Sequence, residues 1–246
     1  MGTAGILEEP GGLRAFFDDS AIHTLNFPPG ALRHESPFEP AHPPPLDCDP
    51  IFIGERFFVA PSWVNDPTPP GRFRLTIDAT SAFGSGRHES TQMCIEALEQ
   101  HLLPGQVVLD IGCGSGILAA AAHLLGAAMV VSCDIHHESV RSAQTLIGAP
   151  FFVGSADSIK PHAGDLVLAN ISVKVLDLIA QDLQRIAKPD GLIVLGGFIH
   201  ENTPQNFRPH KILKKGDWQC WLCRPQDITP PESPPDFTSH SQQWWL

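Results

Sequence analysis

The 246-residue chain predicts an α/β fold with a doubly wound, mostly parallel sheet that has an antiparallel edge, in a three-layer α/β/α arrangement. Apolar strand-like runs alternate with helix-like segments from about residue 105 to residue 200, which is the order of βαβ units. Two consecutive strand-like runs, at 211–213 and 218–222, then predict the antiparallel edge. Such sheets bind their ligands at the carboxyl ends of the strands.

Each element has a local signal. A helix is predicted over 173–187 because its apolar residues recur on one face, and Lys188-Pro189-Asp190-Gly191 forms its stop signal. The strand at 165–171 is almost wholly apolar until Asn170, as expected for a buried parallel strand. The other predicted segments are a hairpin arm at 51–63, strands at 73–77, 107–111, 128–133, 150–153 and 191–198, and helices at 91–103, 117–125 and 138–147.

Composition divides the chain into three parts. Residues 1–50 are rich in proline between 28 and 50 and predict a tail or a degenerate arm. Residues 51–224 carry the strand and helix pattern, and residues 225–246 predict a second proline-rich tail.

The formal net charge of −11 leaves no basic stripe for nucleic acid and suits a basic protein partner. Most of the six cysteines lie in apolar runs, which is typical of reduced thiols in a cytoplasmic protein. Cys220 and Cys223 have CxxC spacing, but no second ligand pair accompanies them, so no metal site is predicted. No signal peptide or membrane span is evident.

The stretch that organises the chain is a strand that runs through Asp110 into a glycine turn made of Gly112, Gly114 and Gly116. Asp134 follows 18 residues after the last glycine, at the end of the next strand, where an acid accepts hydrogen bonds from ribose hydroxyls. The turn has GxGxG spacing and no nearby Lys or Arg to hold a phosphate. This favours S-adenosyl-L-methionine over a dinucleotide; the alternative is a turn that only packs a helix on the sheet.

The run Asp110-Ile111-Gly112-Cys113-Gly114-Ser115-Gly116 resembles the nucleoside-binding motif of the Rossmann-like class I methyltransferases. The run Ala82-Phe83-Gly84-Ser85-Gly86-Arg87-His88-Glu89-Ser90-Thr91 further resembles the PrmA family, methyltransferases of large-subunit ribosomal protein eleven. Gly54-Glu55-Arg56, Pro61-Ser62-Trp63 and Ala169-Asn170-Ile171 resemble other segments of that family, so the resemblance covers roughly residues 51–224.

The resemblance implies that Thr91, Gly112, Asp134 and Asn170 hold the cofactor. Asp110, Gly114 and Gly116 belong to the same motif, and Phe83 and His88 are expected over the same cleft. Two residues are catalytic candidates: Asn170 could orient an amine nucleophile, and His88 is an ordering group or a base. Plainer interpretations are a helix cap for Thr91 and a strand-end turn for Asn170.

The resemblance also implies a protein substrate methylated on a lysine or terminal amine, and a ribosomal protein is a candidate. The family recognises that substrate through a folded N-terminal domain, whereas only about 50 proline-rich residues precede the shared region here. The helix expected after strand 191–198 is also cut short at 200–207, where Pro204 interrupts it. Two alternatives therefore stay open: a small-molecule methyltransferase, and a degenerate homologue that binds cofactor or partner without turnover.

Overall fold

The computed structural model describes residues 3–9, 12–17, 49–61, 64–77, 86–144, 147 and 149–229. The chain forms two compact units, Met1–Pro45 and Leu46–Leu246. In the first unit, strands β1 (Thr3–Glu9) and β2 (Gly12–Phe17) pair antiparallel; the sequence analysis predicted neither strand. The division at residues 50 and 224 stays a prediction.

The second unit contains a seven-stranded sheet with the order β11-β12-β10-β9-β6-β7-β8. Five of its strands are parallel, and β12 pairs antiparallel with both β10 and β11, so the predicted antiparallel edge is confirmed. The strands are β6 (Val107–Ile111), β7 (Met129–Asp134), β8 (Phe151–Val153), β9 (Gly164–Asn170), β10 (Ala187–Ile199), β11 (Lys211–Lys215) and β12 (Trp218–Cys223).

Helices cover both faces, as the three-layer prediction requires. They are α1 (Glu89–His101), α2 (Ile117–Leu124), α3 (His137–Gln144), α4 (Val173–Leu178) and α5 (Ala180–Ile186). One apolar core lies between the sheet and α1 and α2, and a second lies between the sheet and α4 and α5. None of the described helices is long and apolar enough to cross a membrane.

A smaller three-stranded sheet precedes α1. Strands β3 (Ile51–Ile53) and β4 (Phe57–Pro61) form the predicted hairpin, and β5 (Phe73–Ile77) pairs parallel with β4. Its buried Phe57 and Leu75 join the core that α1 covers.

Two predicted segments differ from the structure. The single helix expected over 173–187 is broken at Ile179, whose backbone leaves the helical region (φ −99°, ψ 13°). The short segment at 200–207 is not helical and is held by isolated bridges, one of them between Phe207 and Ile228. Pro204 there has no N–H to donate, which disfavours a helix interior.

Candidate functional site

The turn after β6 needs its glycines for different physical reasons. Gly112, Gly114 and Gly116 all have positive φ, at 74°, 52° and 81°. A Cβ on Gly112 would lie 2.4 Å from Cγ2 of Ile171, and one on Gly116 would lie 2.8 Å from Cβ of Ala143. Nothing lies within 4 Å of the corresponding position at Gly114. The turn is therefore packed against neighbouring residues at Gly112 and Gly116 and open at Gly114, where a ligand could approach the backbone.

Asp134, the last residue of β7, ties this turn to the next one. Its Oδ2 accepts the backbone N–H of Gly114 at 2.9 Å, and its Oδ1 accepts the backbone N–H of His136 at 2.9 Å. Each carboxylate oxygen keeps a second lone pair. Asp134 thus fixes the open part of the turn and retains acceptors for a pair of hydroxyl groups.

Asp110 is buried beneath the turn and is 0% exposed. Neither of its carboxyl oxygens has a hydrogen-bond partner among the described residues, and the same holds for Oγ of Ser132, its neighbour on β7. Burial raises the pKa of Asp110 from 3.8 to about 7; the backbone N–H of Ala119 opposes this shift without reaching hydrogen-bond geometry, and the charge of Asp134 adds to it. The carboxyl group of Asp110 reaches no solvent. Direct contact between Asp110 and the cofactor stays a prediction.

Thr91 and Asn170 meet at the carboxyl edge of the sheet. Asn170 ends β9, and its Nδ2 donates a hydrogen bond to Oγ1 of Thr91 at 3.2 Å. Oδ1 of Asn170 is buried and has no partner within the described part of the chain. The interpretation of Thr91 as the helix cap is wrong, because His88 is the N-cap of α1 and Thr91 is the third residue of the helix. The Thr91 hydroxyl therefore faces the sheet edge.

His88 caps α1 through its side chain. Its Nδ1 accepts the backbone N–H of Ser90 at 3.3 Å and lies 2.8 Å from Oγ of Ser90. The imidazole packs edge-on against Trp218 with the ring centroids 4.2 Å apart. Because Nδ1 accepts, the proton of the neutral ring lies on Nε2, which then presents a donor rather than a base. This geometry favours the ordering role over the basic one. Phe83 lies outside the described residues.

Sequence reasoning missed two contributors to this edge. Gly196 on β10 pairs with Asn170, and a Cβ there would lie 2.7 Å from Oδ1 of Asn170 and 2.8 Å from Sγ of Cys94. The consecutive glycines that interrupt an apolar strand are the signal that could have found it. Ile135, 41% exposed directly after Asp134, places an apolar side chain beside the acceptor carboxylate and had no distinguishing sequence signal.

Comparison with known proteins gives a consistent result. The family model for ribosomal protein L11 methyltransferase (PrmA) matches residues 47–225. A ribosomal protein L11 methyltransferase of Nitratiruptor sp. is 38% identical over 186 residues, which cover 71% of this chain and 65% of the relative. The corresponding protein of Burkholderia ambifaria is 44% identical over 154 residues, covering 61% of this chain and 51% of the relative.

The fold also has a solved counterpart. The crystal structure of a ribosomal protein L11 methylase from Lactobacillus delbrueckii subsp. bulgaricus superposes with a TM-score of 0.62 at 24% sequence identity. The match covers 70% of this chain and 95% of the solved one. It shows the same fold. The present chain spans between about half and two thirds of the length of the curated relatives it matches.

Proposed function

The chain belongs to the ribosomal protein L11 methyltransferase family, PrmA, and we propose that it catalyses S-adenosyl-L-methionine-dependent N-methylation of a protein amine. The observation that carries the proposal is the joining of two halves of one site. Asp134 fixes the open glycine turn, and Asn170, hydrogen-bonded to Thr91 of α1, ends the neighbouring strand β9 at the same sheet edge. This arrangement supports a nucleoside site next to a polar group suited to an amine.

The residues present fit the cofactor. The cradle at Gly114 lets a ligand approach the backbone, and Asp134 keeps two lone pairs for the ribose hydroxyls. Ile135 offers an exposed apolar surface next to them, suited to the adenine ring. Thr91 completes the proposed cofactor set at the methionine end. When bound, S-adenosyl-L-methionine supplies a methyl group activated by its sulfonium.

The protein then has to align the acceptor rather than activate the donor. An amine attacks only in its neutral form, so the site has to favour loss of its proton and hold the lone pair in line. Oδ1 of Asn170 is buried and accepts no hydrogen bond from the described groups. It would accept a hydrogen bond from the amine that receives the methyl group and so orient that amine. A buried oxygen without a hydrogen bond costs free energy, so this position favours a ligand that donates a hydrogen bond to Oδ1 of Asn170.

The proposed substrate class rests on the net charge of the protein and on the names of its matched relatives. A net charge of −11 suits a basic partner, and the matched relatives are named for ribosomal protein L11. A lysine side chain or a terminal amine of such a protein is the proposed acceptor, with no direct nucleic-acid contact and no membrane partner. The five described cysteines are free and buried, which suits the proposed cytoplasmic location.

Calorimetric titration with S-adenosyl-L-methionine tests the cofactor, and tritium-methyl transfer to purified ribosomal protein L11 tests the substrate. Asn170→Ala should lower turnover by about 100-fold and should weaken cofactor binding by a smaller factor, about tenfold or less, because it also releases Thr91. Asn65→Ala, which replaces an exposed asparagine outside the described strands, is the matched control.

Each alternative has its own outcome. Failure to bind the cofactor would contradict every enzymatic interpretation. Cofactor binding with label only in small metabolites of an extract would favour a small-molecule methyltransferase. Binding without any transfer would favour a degenerate homologue, and full turnover by Asn170→Ala would exclude the role given to Asn170.

A further inference from the structure

The tip of the β11–β12 hairpin lies beside the start of α1. Strand β12 runs antiparallel to β10, and its first residue, Trp218, pairs with Ile199 at the end of β10. The tip is therefore at the carboxyl edge of the sheet, where the candidate site is. Trp218 contacts the ring of His88, the N-cap of α1, at this edge.

A chain of hydrogen bonds joins the same tip to the segment that enters α1. Nζ of Lys215 donates to Oε1 of Gln92 at 2.6 Å and contacts Oε1 of Glu96 at 3.2 Å. Nε2 of Gln92 donates in turn to the backbone carbonyl of Arg87 at 2.7 Å. The ammonium group polarises the Gln92 amide, so the bond to Arg87 is strengthened by the one from Lys215. Arg87, whose carbonyl accepts the last of these hydrogen bonds, immediately precedes His88.

We infer that Lys215 is a positioning residue for methyl transfer, acting through Gln92 and the Arg87 carbonyl on the orientation of His88. The inference rests on the proposed function. Thr91 is anchored separately, by Asn170 on β9, so loss of the Lys215 chain leaves that pair in place. The glycine turn and Asp134 are on other strands and are likewise untouched. The predicted effect is therefore on transfer and not on cofactor affinity.

The same strand provides matched controls. Lys211, at the other end of β11, donates to Oε1 of Gln100 at 3.0 Å and so ties the hairpin to the far end of α1. Lys214 is exposed and carries the same charge next to Lys215. Replacing each lysine by methionine removes one positive charge from the same strand, and Lys211→Met also removes one link between hairpin and helix.

We expect Lys215→Met to lower kcat by about tenfold while the cofactor Kd stays within about twofold of the unmodified protein. Lys215→Arg should restore at least half of kcat because it keeps a donor to Gln92. Lys211→Met and Lys214→Met should keep the original kcat, although Lys211→Met should lower Tm as much as Lys215→Met. The ring resonance of His88 in NMR spectra can be assigned by its loss in His88→Gln. In Lys215→Met this resonance should move toward the position that it has in Trp218→Leu.

Three results would overturn the inference. Equal losses of kcat in Lys211→Met and Lys215→Met would show a general stabilising role, and an unchanged kcat in Lys215→Met would show no role. A fixed His88 resonance in Lys215→Met would exclude action through His88. If the unmodified protein transfers no methyl group, the proposed function fails, and the His88 resonance still decides whether Lys215 positions this residue.

Discussion

Replacing Asp110 by asparagine should stabilise the cofactor-free protein, and by more at higher pH. The pKa of Asp110 is raised from 3.8 to about 7 in the folded protein, chiefly by burial. Below pH 3.8 the carboxyl group is protonated in both the folded and unfolded states and costs nothing. Between the two values the unfolded state ionises first, so the free energy of unfolding falls as pH rises, and above about 7 the penalty is complete.

The magnitude follows from the size of the shift. A difference of about three pH units, at ~1.36 kcal/mol per unit, gives a penalty of about 4 kcal/mol at pH 8. Asparagine removes the charge and keeps the shape, although its amide then needs a partner in the same place. The gain should therefore be read from the slope with pH and not from one value.

Urea unfolding of both proteins at pH 5, 6, 7 and 8 measures that slope. The free energy of unfolding of Asp110→Asn minus that of the original protein should rise from pH 5 to pH 7 and level off by pH 8. Asp165→Asn is the control: its lowered pKa lies below this range, so its difference in the free energy of unfolding should stay nearly constant from pH 5 to pH 8. Burial acts to raise the pKa of Asp165, but the hydrogen bonds from Lys188 and from the backbone N–H of Val107 outweigh it and lower the pKa. Its stabilising effect is present above the unfolded pKa and is lost as pH falls. A pH-independent difference for Asp110→Asn would refute the raised pKa of this buried carboxyl group.

Further predictions concern packing, ion pairing and the thiols. Gly112→Ala should lower the free energy of unfolding by about 2–4 kcal/mol and cofactor affinity at least tenfold, because the new Cβ meets Ile171. The control is Gly71→Ala, at a glycine with a similar φ (79°) and open surroundings. It should lower the free energy of unfolding by about 1 kcal/mol and leave cofactor affinity unchanged. Lys188→Met should lower the free energy of unfolding by about 1 kcal/mol or less at pH 7, since the pair with Asp165 is partly exposed, and the loss should disappear as pH falls through the lowered pKa of that carboxyl; a urea series checks it. Burial raises the pKa of the Cys133 thiol to about 12, and we expect none of the five described cysteines to react with iodoacetamide in the folded protein, as peptide mass mapping would show.

The strand and turn that contain Gly112 could be predicted because their signals are local. Glycine is the residue most favoured at positive φ, and an acid at the next strand end is the pattern of a nucleoside-binding βαβ unit, so Gly112 and Asp134 could be identified from their spacing. Long-range pairing has no such local signal. Thr91 and Asn170 are 79 residues apart, and only the family resemblance predicted that they act together; the hydrogen bond between them shows that they are in contact.

Sequence failed where tertiary packing overrides a periodic pattern. The apolar face over 173–187 continues through Ile179, so periodicity indicated one helix, whereas the backbone turns at that residue. The cap of α1 was missed for another reason. Histidine is not among the usual capping residues, and Ser90 and Thr91 lie only two and three residues after it, so the pattern pointed to the wrong positions.

The position of β11 bears on how the protein avoids self-association. It is an edge strand of the seven-stranded sheet, so its outer backbone groups could pair with a strand from another molecule. Three of its five residues are lysines, and a second copy docking there would bring two rows of ammonium groups together. Replacing all three by neutral residues would remove this protection, and concentrated solutions should then show β-rich aggregates. Lys215 would therefore be under two independent constraints, one from catalysis and one from solubility.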